Sequence, residues 1–196
     1  KLAKIGAFVA VAGMALTGIA VELDLAAAAT STGAVLDCLK ERFEKLLGTG
    51  SSKVSDSIDV ALIKIDKASK KIQFSGANRP LVVVSDGEAM EFKPTRMCIG
   101  YNVLDRGNFI SNAVDYDSGD MILLFSDGLP DQFGGLDGHT KFGTKRLYEL
   151  LSSIYDLPLS VQRTAIGAVF QQWTHMDIYN INVNQIDDQI VLGIRM

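Results

Sequence analysis

The sequence predicts a mixed α and β protein, and two kinds of periodicity carry that prediction. Apolar residues recur at three- and four-residue spacings over residues 35–47, which is typical of an amphipathic helix. Apolar runs typical of strands occupy much of residues 58–84, 121–125 and 190–194. With 196 residues and 47% hydrophobic content, the chain has the size of one domain with a substantial core.

The first segment, residues 5–21, is an uncharged run preceded by Lys1 and Lys4. This outline fits a signal peptide. Against that interpretation, Glu22 and Asp24 separate the run from the alanines at residues 26–29, and the run is short for a membrane span of about 20 residues. Glycines and alanines in the run also suit a buried helix that approaches its neighbours closely.

The later elements follow in order. Ser31 or Thr32 can cap the helix that ends at Gly48, and the polar, glycine-rich loop after it leads into a region that is mainly β. We predict strands at residues 58–65, 71–75, 81–84, 121–125 and 190–194, and further helices at residues 144–154 and 160–173.

The strand at residues 121–125 is five apolar residues without a break, so we expect it to be covered on both faces. It stops at Ser126-Asp127-Gly128. Gly128 tolerates backbone angles that Asp127 does not, so the carboxylate can be held at the strand end against a tight bend. A hard divalent cation prefers oxygen ligands held in this way, although Ser-Asp-Gly is also a common turn.

A second acidic site precedes the last strand, where Asp187 and Asp188 stand side by side. Neighbouring carboxylates repel each other unless a cation or hydrogen-bond donors neutralise them. An ordinary acidic turn at the start of an edge strand explains the same residues. These residues alone leave both interpretations open.

Composition excludes several function classes. The net charge is −4 and Lys and Arg are scattered, which argues against nucleic acid as a partner. The two histidines, His139 and His175, have no neighbouring Cys or His. The sequence therefore does not show the set of residues that a zinc site or a Ser-His-Asp triad requires. Cys38 and Cys98 form neither a metal-ligand spacing nor a disulfide framework, and we interpret them as reduced thiols.

Four motifs, in this order and spacing, resemble the SpoIIE-type (RsbU-like) branch of the metal-dependent protein serine/threonine phosphatases, the PPM family. The resemblance spans roughly residues 5–196. The motifs are Asp59-Val60-Ala61-Leu62, Phe74-Ser75-Gly76-Ala77-Asn78-Arg79-Pro80-Leu81, residues 119–135 around Asp127, and Asp187-Asp188 with Leu192-Gly193-Ile194-Arg195.

The resemblance implies an α+β fold, an α/β/β/α sandwich of two mainly antiparallel sheets flanked by helices, forming a single domain over residues 1–196. It also favours a buried helix over a signal peptide for the first segment. It implies a site with two Mn²⁺ or Mg²⁺ ions, in which Asp127 and Asp187 are catalytic metal ligands. Gly128 and Asp188 would support these ligands, and Arg79 would bind phosphate or remain a surface charge.

The chain departs from the family at its start. In the family, N-terminal strands carry an acidic residue, and an Asp-x-x-Gly-His-Gly segment supplies the carboxylate that bridges the two metals; neither precedes Lys1. We therefore expect an N-terminally truncated domain, inactive by itself, that lacks those strands. The shortened sheet would have an open edge that favours pairing with a second copy, as in a homodimer.

The resemblance implies a bacterial signalling regulator in the cytoplasm, or the cytoplasmic part of a membrane-anchored sensor, with a sensor or receiver domain upstream. Its substrate would be a phosphoserine or phosphothreonine on a partner protein, such as a STAS-like anti-sigma-factor antagonist. The alternative function is a catalytically inactive, phosphatase-like binding module. A measurement of phosphate release distinguishes the active phosphatase from the inactive binding module.

Overall fold

The computed structural model describes residues 7–13, 31–48, 57–100, 107–176 and 181–196. The chain divides into two compact units, Lys1–Leu81 with Phe92–Asp117 and Val82–Glu91 with Ser118–Met196. The single domain over residues 1–196 stays a prediction.

An antiparallel sheet and one helix make up the described part of the first unit. The elements are β1 (Ala7–Gly13), α1 (Thr32–Gly48), β2 (Ser57–Asp66), β3 (Lys71–Ala77), β6 (Ile99–Gly100) and β7 (Asn112–Asp115). The sheet has the strand order β1-β2-β3-β7, and β6 pairs with the start of β2. The helix α1 packs Val35, Leu36 and Phe43 into a core with apolar residues of β2 and β6.

The helix predicted for the first segment is wrong over residues 7–13, because this stretch is the strand β1. All seven of its residues pair with β2 in antiparallel register, from Ala7 opposite Ile65 to Gly13 opposite Asp59. Small apolar residues without a clear period are compatible with a helix or a strand. Here residues 7–13 form a strand because they pair with β2, which lies far away in the sequence. The rest of the predicted helix lies outside the described residues.

The second unit holds another antiparallel sheet, built from β4 (Leu81–Ser85), β5 (Glu88–Phe92), β8 (Met121–Phe125) and β13 (Val191–Arg195). The strand order in this sheet is β13-β8-β4-β5. The unit also contains the helices α2 (Gly143–Ile154) and α3 (Leu159–Thr174), and two short hairpins, β9 (Phe133–Gly134) with β10 (Thr140–Lys141) and β11 (His175–Met176) with β12 (Ile181–Asn182).

Strand β8 is the centre of this unit, and all five of its residues are buried. The prediction from its unbroken apolar run is therefore confirmed. It lies between β13 and β4, with Phe125 opposite Val191 and Met121 opposite Arg195. The fold class, α+β with two mainly antiparallel sheets and helices, is also confirmed. None of the helices in the described ranges is long and apolar enough to cross a membrane.

One pH effect follows from the contact between α2 and β5. Tyr148 donates a hydrogen bond to Glu91 Oε2 (2.9 Å). The pKa of Tyr148 is raised well above its usual value near 10, mainly because the phenol is partly buried and secondly because the Glu91 carboxylate is its neighbour. The neutral phenol therefore stabilises the fold below pH 10, and this contribution is lost as the pH rises beyond it. We expect the melting temperature of Tyr148→Phe to fall less than that of the wild-type chain between pH 8 and pH 11. An equal fall would contradict this role.

Candidate metal centre

The candidate site begins where β8 ends, and the buried Ser126 joins it to the last segment of the chain. Ser126 N donates to Ile190 O (3.0 Å), and Ser126 Oγ donates to Asp188 O (2.8 Å). The same hydroxyl accepts a hydrogen bond from Ile190 N (3.0 Å). These bonds extend the pairing of β8 and β13 into the two segments that carry the aspartates.

Gly128 allows the closest approach between these segments. A Cβ atom there would lie well under 3.0 Å from Asp188 O, 2.9 Å from Asp188 C and 3.3 Å from Asp187 C. The backbone of Gly128 does not have a positive φ. The glycine is therefore required for space, and the conformational reason predicted from the sequence is wrong.

The two predicted ligands lie on these adjacent segments. Asp127 is partly buried, and its backbone oxygen accepts a hydrogen bond from Asp131 N (2.9 Å) in the turn after β8. Asp187 is exposed; its Oδ1 accepts from Asp188 N (2.7 Å) and its backbone oxygen accepts from Gln185 Nε2 (2.7 Å). The main chain of Asp188 thus contacts both Asp187 and Ser126.

The donor set suits one hard cation better than two. Asp127 and Asp187 carry carboxylates on two turns that the Ser126 hydrogen bonds and the close approach at Gly128 hold together, and two carboxylates are few for two hard cations. Among the residues that the structure describes, no group of three or more His, Cys, Asp or Glu side chains is placed to hold a metal ion. The described residues therefore do not fit a two-metal centre.

Asp131, on the same turn, forms an ion pair with Lys141 Nζ (3.1 Å), and both side chains are about half exposed. This pair ties the turn after β8 to the β9–β10 hairpin. Surface ion pairs of this kind stabilise by at most about 1 kcal/mol.

Arg79 belongs to the first unit and takes part in an ion pair that the sequence did not indicate. Its Nη2 lies 3.1 Å from Asp59 Oδ2, and Asn78 Nδ2 donates to Asp59 Oδ1 (2.9 Å). Asn78 itself has a left-handed backbone (φ 55°), which asparagine tolerates better than most residues. The phosphate-binding role of Arg79 stays a prediction.

Sequence reasoning also missed Gln132, a fully buried side chain four residues after Gly128. It makes hydrogen bonds to residues on both sides of Asp187 and Asp188. Gln132 stands between Asp131 and Phe133 in a turn without periodicity, so its burial has no signal in the sequence.

Comparison with known proteins gives a family match and several similar folds. A family model described as Stage II sporulation protein E (SpoIIE) matches residues 8–196. No curated protein matches the chain. The SiaA-PP2C domain of Pseudomonas aeruginosa is similar with a TM-score of 0.74 at 23% identity, covering 98% of this chain and 81% of that one.

Two further structures share the fold at lower identity. The RsbU and RsbW domains of Rv1364c from Mycobacterium tuberculosis give a TM-score of 0.63 at 20% identity, over 86% of this chain and 42% of that one. The PP2C phosphatase domain of SpoIIE from Bacillus subtilis, with a fragment of its regulatory domain, gives a TM-score of 0.59 at 13% identity, covering 85% of this chain and 44% of that one. The chain thus spans less than half of these two structures.

Proposed function

Because the chain belongs to the SpoIIE family of PP2C-type protein phosphatase domains, we propose that it acts on phosphoserine or phosphothreonine of a partner protein in a metal-dependent hydrolysis. The observation that supports this most directly is the meeting of two acidic turns at the ends of β8 and β13. Acidic residues at strand ends are rigidly mounted, which is what a metal-dependent hydrolase requires of its ligands.

In this proposal, Asp127 and Asp187 hold the cation. A bound Mn²⁺ or Mg²⁺ supplies charge neutralisation at the phosphate and a lower pKa for a water molecule. The hydrogen bonds of Gln185 and Asp188 to Asp187 hold that segment in place. The RsbX structure with magnesium, which has the same fold, supports the choice of metal for this chain.

A second candidate is a phosphatase-like module that binds the phosphoprotein without hydrolysing it. The observation in its favour is that, within the described residues, no group of three His, Cys, Asp or Glu side chains is placed to hold a metal ion. A cation held by two carboxylates and water is bound weakly, because high affinity for hard cations requires more charged oxygen ligands. We accordingly propose that the chain by itself is inactive or nearly so.

The proposed partner is a phosphorylated regulatory protein of a bacterial signalling system, of the STAS-like type that opposes anti-sigma factors. The match to the SpoIIE family supports that class of partner, which the resemblance to this family implies. A cytoplasmic location, an upstream sensor domain and pairing of two copies through a sheet edge stay predictions.

The deciding experiment compares the full-length natural protein with this chain. Each is incubated with a serine-phosphorylated STAS-like protein and Mn²⁺, while phosphate release and complex formation are measured in parallel. Release by the full-length protein supports the phosphatase. Complex formation without release supports the binding module, and neither binding nor release contradicts both.

A further inference from the structure

We propose that Gln132 is a positioning residue that holds the Asp187-Asp188 segment against the turn of Asp127. The proposal rests on the proposed metal-binding function, which it deepens by naming the group that sets the geometry of the ligands. It is carried by hydrogen bonds within the second unit.

The side chain of Gln132 is fully buried, so its amide must find its partners inside the protein. Its Nε2 donates to Phe133 O (3.0 Å) and to Asn184 O (3.1 Å), and its Oε1 accepts from Gln189 Nε2 (3.1 Å). The reverse orientation of the amide would set Oε1 against two carbonyl oxygens. The observed orientation therefore satisfies the donors and acceptor together.

The consequence for the site comes from where these partners lie in the chain. Asn184 and Gln189 stand on either side of Asp187 and Asp188, so one buried side chain holds both ends of the acidic segment. Gln189 Nε2 also lies 3.5 Å from Gly128 O, at the outer limit for a hydrogen bond. The bridge thus connects the segment of Asp187 with the turn that presents Asp127.

The backbone of Gln132 is itself anchored, which makes it a rigid support. Its carbonyl oxygen accepts hydrogen bonds from Phe142 N (2.9 Å) and from Trp173 Nε1 (3.3 Å). These partners lie just before α2 and near the end of α3. Since groups that orient metal ligands typically change metal affinity by about 10- to 100-fold when they are replaced, an effect of this size is expected here.

The test uses two variants and a matched control in the same chain. Gln132→Met keeps the length of the side chain and removes its polar atoms, while Gln132→Leu removes the same polar atoms in a branched side chain and likewise adds no charge. The control is Gln162→Met: Gln162 is also buried, and its Nε2 also donates to two carbonyl oxygens, Tyr155 O and Leu157 O (both 2.9 Å). Tyr155 and Leu157 both lie outside the acidic segments.

Mn²⁺ affinity is measured by titration calorimetry, and amide hydrogen exchange is measured over residues 184–190. We expect the Gln132 variants to bind Mn²⁺ about 10-fold or more weakly and to exchange faster over this segment, whereas Gln162→Met changes neither. Where the Gln132 variants do not fold, Gln189→Met breaks the same bridge from its less buried end, with the same expected result.

Equal Mn²⁺ affinity in the wild-type chain and the Gln132 variants would overturn the proposal, as would an equal loss in Gln162→Met. If the wild-type chain binds no Mn²⁺, the metal assignment of the proposed function fails separately. Hydrogen exchange then decides the positioning role: faster exchange over residues 184–190 in the Gln132 variants supports it, and unchanged exchange overturns it.

Discussion

Replacing Asp127 or Asp187 with asparagine is expected to reduce Mn²⁺-dependent phosphate release by the full-length natural protein by about 100-fold or more. Asparagine keeps the size of the side chain and removes the negative charge that attracts the cation. Titration calorimetry should show a parallel loss of Mn²⁺ affinity. Circular dichroism should show an unchanged fold, because neither side chain is part of the apolar core around β8.

The control for this experiment is Asp120→Asn. Asp120 precedes the same strand at its opposite end, where its backbone oxygen accepts a hydrogen bond from Met196 N (2.9 Å). We expect phosphate release within about twofold of the wild-type rate, a difference of less than about 0.5 kcal/mol in activation free energy. If Asp120→Asn were as damaging as the other two substitutions, or if Asp127→Asn kept normal activity, the ligand assignment would be wrong.

The second large effect is expected from a single methyl group at Gly128. In Gly128→Ala the new Cβ would overlap the backbone of Asp188, so one of the two segments must move. Movement would disturb the Ser126 hydrogen bonds to Asp188 and Ile190. We expect a loss of about 1–3 kcal/mol in the free energy of unfolding, together with weaker Mn²⁺ binding.

Gly167→Ala is the matched control, because Gly167 lies within α3 and a Cβ there meets nothing within 4 Å. Alanine stabilises a helix interior relative to glycine by roughly 0.5–1 kcal/mol, so this variant should be slightly more stable and bind Mn²⁺ as the wild-type chain does. Urea unfolding and calorimetry of both variants provide the comparison. Equal stability of Gly128→Ala and the wild-type chain would mean that the close approach does not constrain the site.

Long elements with a strong pattern could be predicted from the sequence. Strand β8 coincides with its predicted bounds, and α1, α2 and α3 begin and end within one residue of prediction. Ser31 Oγ accepts a hydrogen bond from Ala34 N (3.1 Å), so the predicted helix cap is confirmed as well. In these segments the local pattern and the buried face agree, which is the condition under which periodicity is informative.

Short or isolated pairings could not be predicted in the same way. β5 is not among the predicted strands, and its residues are mostly exposed. The hairpins of β9 with β10 and β11 with β12 have two-residue strands, too short to show any period. β1 was predicted as part of a helix because the family resemblance favoured one there, and its small residues permit both states.

By itself, the sequence determined that residues 121–125 form a buried strand and that acidic residues follow β8 and precede β13. The boundary between an apolar run and the polar residues beside it can be read directly from the sequence. Only the tertiary structure decided which segments meet: β1 beside β2, Arg79 beside Asp59, and Gln132 between Asn184 and Gln189. These contacts join residues far apart in the chain through hydrogen bonds and close approaches, which have no period and no local signal.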